Sequence, residues 1–193
     1  DFCARAAKLD NLCPHFHLSL QSGCDATLKR MNRKYDTARY LESCTLLRRY
    51  FDDPAITTDL ITGFPGETEE EFEQTLAFIR EAGFSAMHVF PYSRRTGTPA
   101  CDMPGQVPMQ EKEARAHRAS AVAGEMEQTY LGRQLGRTVP VLFEEEKDGA
   151  WRGHTPNYIE VRAESGENLH NQLRQVELTE ISGTRLIGKL VEA

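Results

Sequence analysis

The sequence predicts an α/β protein: a stretch of (β/α)-barrel type followed by a small all-β, OB-like barrel. Three observations carry this reading. An apolar run at residues 56–61 ends in Gly63-Phe64-Pro65-Gly66 and leads through a helix to a second apolar run at 86–92, which is a strand, turn, helix, strand unit. Residues 15–21 alternate strictly between apolar and polar. From Thr138 onward the texture changes to five short alternating runs separated by Asp148-Gly149, Ser165-Gly166 and Ser182-Gly183.

In order along the chain, residues 2–9 have the spacing of an amphipathic helix, and Asn11-Leu12-Cys13-Pro14 form a loop. In the strand at 15–21, Phe16, Leu18 and Leu20 point one way, and His17, Ser19 and Gln21 the other. An open parallel sheet covered on both faces would be apolar on both. A barrel explains the polar side: Phe16, Leu18 and Leu20 face outer helices, while His17, Ser19 and Gln21 line a lumen that holds something polar. An antiparallel strand with one wet face is the competing reading, disfavoured by the crossover helices that follow.

Lys29, Arg30, Arg33 and Lys34 form a basic cluster on a short helical stretch after this strand, either a solvated face or an anion contact. Asp36 or Thr37 caps a helix to about residue 51, with Leu41, Cys44 and Leu47 on its inner side. In the strand at 56–61, Asp59 is a carboxylate amid apolar neighbours, which is costly unless hydrogen-bonded or turned to a ligand. Proline and glycine stop that strand. Thr68-Glu69-Glu70-Glu71 is a capping box, Phe72, Leu76 and Ile79 recur at helical spacing, and Gly83 marks the helix end. A basic, turn-rich loop at 93–100 leads to a long helix at 110–131, with Ala114, Val122, Met126 and Tyr130 as its buried stripe. The boundary between the two parts is placed near Arg137, giving units 1–136 and 137–193. The second holds few basic residues, and Trp151 and Tyr158 read as an exposed aromatic pair.

The totals set limits. A net charge of −6 argues against a protein that coats nucleic acid non-specifically, though not against a local basic face. No apolar run approaches membrane-spanning length, and no secretory or transit segment opens the sequence. Cys3, Cys13, Cys24, Cys44 and Cys101 are odd in number and widely spaced with no CxxC pair, a pattern of a reducing compartment, hence cytoplasmic, and not of a disulfide framework or zinc site. Asp1 is not an initiator methionine, so a fragment of a longer chain is expected.

Leu18-Ser19-Leu20-Gln21-Ser22-Gly23, Leu28-Lys29-Arg30-Met31-Asn32-Arg33, the run from Asp59 to Thr68, His88-Val89-Phe90-Pro91-Tyr92-Ser93 and Thr96-Gly97-Thr98-Pro99-Ala100 together resemble the C-terminal portion of a radical S-adenosylmethionine methylthiotransferase. The terminal barrel is similar in size and place to that family's TRAM module. Among the branches, the last two segments most resemble enzymes acting on N6-threonylcarbamoyladenosine beside the anticodon of tRNA. The resemblance implies the C-terminal half of a partial (β/α) barrel whose lumen holds S-adenosylmethionine. By motif, Gln21 and Ser19 would line the ribose and methionine part, Arg33 would pair with the methionine carboxylate, Asp59 would accept from the ribose hydroxyls and Ile61 would pack on the adenine. It further implies a tRNA anticodon stem-loop as partner, an electron donor, and two 4Fe-4S clusters in the intact protein.

The cluster motif CxxxCxxC is absent, because Cys3, Cys13 and Cys24 do not have its spacing. The expectation is therefore a portion without methylthiotransferase activity of its own and with no metal ligands, in which an open sheet edge near Phe16 favours self-association. The alternatives are an RNA-binding scaffold without catalysis, the branch that modifies a ribosomal protein, and a nucleotide-binding domain built on GFPG, which lacks the Walker lysine.

Overall fold

The computed structural model describes residues 2–191. Its first part contains α1 (Phe2–Ala6), β1 (His15–His17), α2 (Asp25–Arg30), α3 (Thr37–Tyr50), β2 (Ala55–Thr62), α4 (Glu69–Ala82), β3 (Ala86–Pro91), the short α5 (Pro99–Asp102) and α6 (Met109–Gly132). The strands form one parallel sheet in the order β1-β2-β3, with Phe16 opposite Ile56 and Asp59 opposite His88. Alternation then sorts the side chains. Ile56 and Leu60 pack with Leu20, Cys44, Leu47, Phe72, Leu76 and Ile79 in the core under α3 and α4. The opposite face carries Thr57, Asp59 and Ile61, all part-exposed.

Local signals produce the helices. Asp36 accepts from the Arg39 amide to cap α3. At α4, Thr68 and Glu71 form both arms of the capping box, and Gly83 ends the helix in the left-handed region at φ 64°.

Two elements depart from the expected pattern. The strand expected over 15–21 is interrupted at 18–20, because hydroxyls from other elements take over its backbone groups: the Leu20 amide donates to Thr58 Oγ1 at 2.8 Å, and Tyr35 and Tyr40 donate to the carbonyls of Ser19 and Leu18. Pairing with β2 resumes at Gln21, whose amide donates to the Asp59 carbonyl at 2.9 Å. On α6, Ala114 is exposed, and Lys112 and Arg115 take its place in the buried stripe above Ala119, Val122 and Tyr130.

The second part is a closed barrel in the order β4-β5-β6-β8-β7, built from β4 (Thr138–Lys147), β5 (Ala150–His154), β6 (Glu160–Ala163), β7 (Gln172–Ser182) and β8 (Arg185–Leu190). The β6–β8 pair is parallel and the other ladders are antiparallel. Closure removes free edges. Its core holds Val141, Phe143, Val161, Val176, Leu178 and Leu186, and also Trp151, which is 6% exposed. Trp151 is therefore a core residue and not half of an exposed aromatic pair; Tyr158, at 65%, is the exposed member.

The barrel core continues into the first part through Ala55, Tyr130 and Leu131. Tyr130 donates to the Asp53 carbonyl at 3.1 Å and accepts from Asn157 Nδ2 at 2.7 Å, and burial pushes its phenol up to about 12. Arg133 and Gln134 reach the Asp53 carboxylate at 3.0 and 2.5 Å.

Candidate functional site

At the C-terminal ends of the three parallel strands lies a cavity of about 540 Å³, within the range of small-molecule sites. The interruption of β1 shapes its floor. Gln21 takes φ 71°, and its carbonyl accepts from the Ile61 amide at 2.9 Å, so the residue closes against β2 at the cavity wall. Asp59 and Ile61 reach the same space because, two residues apart on β2, they share the face turned away from the core. Tyr92, Arg95 and Thr98 form the far wall. Their loop is tied down by Arg94, which donates to the Cys101 carbonyl at 2.6 Å, and by Gln106, which donates to the carbonyls of Ala100 and Met103 at 3.0 Å.

The turn after β2 is held from beneath. Gly63 has φ 68°, and a Cβ there would collide with the stem of Lys112. Its amide donates to Glu67 Oε2 at 2.5 Å, and Arg115 reaches the same carboxylate at 2.9 Å. Burial pushes the Glu67 carboxyl up, against the pull of the Gly63 amide and Arg115. Lys112, depressed by its burial, donates to the Tyr92 carbonyl at 3.1 Å and lies over the Tyr92 ring. Helix α6 therefore ties the strand-end turn to the cavity's far wall. Sequence reasoning missed Lys112 and Arg115; their three-residue spacing on the face shared with Ala119 and Val122 was the available signal.

Of the residues singled out from the sequence, Gln21, Asp59 and Ile61 meet at this cavity. Ser19 and Arg33 do not line it. The Ser19 hydroxyl lies 3.3 Å from His17 Nε2. Arg33 is exposed beyond the end of α2, close enough to the Tyr35 phenol to oppose the upward push of burial on it. In the basic cluster, Arg30 is committed to Glu71, donating from Nη1 at 3.0 Å.

At the other end of the same sheet face a cavity of about 340 Å³ lies between the sheet, α6 and the small barrel, lined by His15, His88, Glu127, Tyr130, His154 and Tyr158 among others. Tyr158 stacks on His154 at 4.5 Å between ring centres and on His15 at 5.4 Å. Burial and the neighbouring His17 lower the His15 pKa, and burial raises that of Glu127. Among the described residues, no group of three or more His, Cys, Asp or Glu could hold a metal ion, and the five cysteines are free thiols. No helix there is long and apolar enough to cross a membrane.

Comparison with known proteins gives this geometry a context. Residues 1–79 match the radical SAM superfamily. The threonylcarbamoyladenosine tRNA methylthiotransferase MtaB of Bacillus subtilis is 37% identical over 174 residues, covering 88% of this chain and 39% of that protein. The tRNA-2-methylthio-N(6)-dimethylallyladenosine synthase of Oleidesulfovibrio alaskensis is 46% identical over 158 residues, covering 82% and 34%. The chain is a homologue of the radical SAM methylthiotransferases. It spans well under half the length of these methylthiotransferase relatives, and relatives named for either tRNA modification match it. A solved structure, coproporphyrinogen III oxidase (HemN) from Escherichia coli, described as a radical SAM enzyme, superposes with a TM-score of 0.51 at 14% identity, covering 85% of this chain and 41% of that one. At that identity the likeness speaks for the fold, and a radical SAM fold is what it supports for the methylthiotransferase homologue.

Proposed function

We propose that this chain is the cofactor-holding and RNA-docking portion of a tRNA-modifying methylthiotransferase that acts at C2 of N6-threonylcarbamoyladenosine beside the anticodon. The observation that carries the reading is the convergence of Gln21, Asp59 and Ile61 on one cavity at the strand ends. These residues fit the adenosyl part of S-adenosylmethionine: a carboxylate for a ribose diol, an amide at the strand end and an apolar side chain for a base. Ser19 contributes from the adjacent lumen, and Arg33 is assigned the methionine carboxylate. Bound S-adenosylmethionine supplies methyl transfer and hydrogen-abstraction chemistry; the chain's own residues bind and orient it.

The cysteines described above do not fit a 4Fe-4S cluster, so no step is assigned to one, and the isolated chain is expected to be inactive in methylthiolation. Both clusters and the docking of an electron donor are assigned to the rest of the longer protein, and the free edge of β1 to self-association of the isolated chain. The small barrel is read as a TRAM-type module, with exposed Tyr158 as a stacking platform for a base of the anticodon stem-loop. The assignment of the threonylcarbamoyl branch rests on the segments ending in Ser93 and Ala100. The cytoplasm, where tRNA is modified, is the expected compartment.

Calorimetric titration with S-adenosylhomocysteine tests the cofactor site: binding to the wild-type chain and its loss in Asp59→Ala are expected, and no binding to the wild type overturns the reading. Anticodon stem-loop binding that weakens steeply as salt rises is expected of the small barrel. Binding that is indifferent to salt would favour a protein substrate instead.

A further inference from the structure

A hydrogen-bonded file joins the two cavities, His15, His17 and Thr57 lining the smaller and Asp59 the larger. His17 and Thr57 are opposite each other in the parallel β1–β2 register, and Asp59 follows Thr57 on the same face. The His17 ring is engaged at both nitrogens: Nδ1 lies 3.1 Å from Thr57 Oγ1, and Nε2 lies 3.3 Å from Asp59 Oδ2 and from Ser19 Oγ. Thr57 Oγ1 in turn lies 3.4 Å from His15 Nε2. A neutral imidazole has one donor and one acceptor nitrogen. Asp59 as a carboxylate only accepts, so Nε2 carries the proton and Nδ1 accepts from the Thr57 hydroxyl. Asp59 therefore selects the tautomer of His17, the Thr57 hydroxyl donates to the nitrogen left without a proton, and His17 fixes the rotamer of Asp59. Because Oδ2 is engaged by His17, Oδ1 is the oxygen of Asp59 left over for a ligand in the larger cavity.

We infer that His17 is a positioning residue: through its contact with Asp59 Oδ2 it presents Oδ1 to a vicinal diol, so that the site selects a ribose over a 2′,3′-dideoxyribose. The inference rests on the reading of that cavity as an adenosyl site and deepens it. Ser19, which lies off the cavity, acquires a part in it as a second hydroxyl steadying the same ring.

The test compares 5′-methylthioadenosine with its 2′,3′-dideoxy counterpart on the full chain by calorimetry. Wild type is expected to prefer the diol by about tenfold or more, the scale of a hydrogen bond to a charged group. In His17→Ala the preference is expected to fall to about twofold with affinity for the dideoxy compound unchanged. Thr57→Val, which removes the donor while keeping the shape, is expected to lower the preference in part, and Thr57→Ser to restore it. In an Asp59→Asn background, His17→Ala is expected to have no further effect. If the wild type binds neither compound, the adenosyl reading fails and the inference with it. A wild type that binds both equally overturns the diol role of Asp59. If the wild type discriminates and His17→Ala or Thr57→Val does so equally well, or loses both affinities alike, the inference is overturned while the adenosyl site stands.

Discussion

Asp59 and Glu67 belong to one strand and the turn that follows it, and each meets a basic side chain, yet their surroundings are opposite. The Glu67 and Arg115 side chains are 1% and 3% exposed, whereas Asp59 and His17 are 31% and 41% exposed. A sealed carboxylate must have its hydrogen bonds met by protein, and Glu67 does, from the Gly63 amide and Arg115. An open one can leave an oxygen for a visitor. The contrast separates a group that fixes the shape of a turn from a group that the strand before it delivers to a cavity.

The largest expected effect comes from breaking the sealed pair. Arg115→Ala leaves Glu67 buried and uncompensated and is expected to cost about 3–5 kcal/mol in urea denaturation, whereas the joint Glu67→Gln, Arg115→Met variant is expected to recover much of that loss. Gly63→Ala forces a left-handed backbone and displaces the Lys112 stem; about 2 kcal/mol is expected, together with weaker binding in the cavity above. Tyr130→Phe removes the hydroxyl shared by Asp53 and Asn157 and is expected to cost about 1 kcal/mol, with faster amide exchange in the small barrel where it meets α6. Asp59→Asn, on the open side, is expected to change stability by under about 0.5 kcal/mol while abolishing diol recognition. A large loss of stability there would erase the distinction between the two carboxylates.

Acid sharpens the comparison from a third carboxylate. The hydrogen bond from Arg30 holds Glu71 below its ordinary range, so its folded pKa is depressed. Its stabilising contribution is then present above the unfolded value and is lost as pH falls through the folded one. Glu71→Gln is expected to flatten the acid limb of a stability–pH profile measured by thermal melts.

Much of this architecture was legible beforehand because the deciding residues are neighbours in sequence. Thr68, Glu71 and Gly83 define α4 locally, and the period of two along β2 puts Asp59 on the face opposite Ile56 and Leu60. What was not legible depends on residues far apart in the chain. The break at 18–20 follows from hydroxyls of Tyr35, Tyr40 and Thr58 that no local pattern announces. Lys112 and Arg115 were passed over in favour of Ala114 because a charged residue on a helix is ordinarily a surface residue, and only the carbonyl of Tyr92 and the carboxylate of Glu67 make their burial tolerable. Trp151 was misplaced because alternation in a five-residue strand says which residues share a face but not which face is inside.

Helix α6 grips the turn beside the larger cavity near its first residues and the small barrel near its last. Its 24 residues amount to about 36 Å of rise, so it works as a ruler between the two. A metabolite is far shorter than that interval and can sit at only one end of it. A folded polymer is long enough to touch both, and anchoring at one end would then decide which of its units arrives at the other.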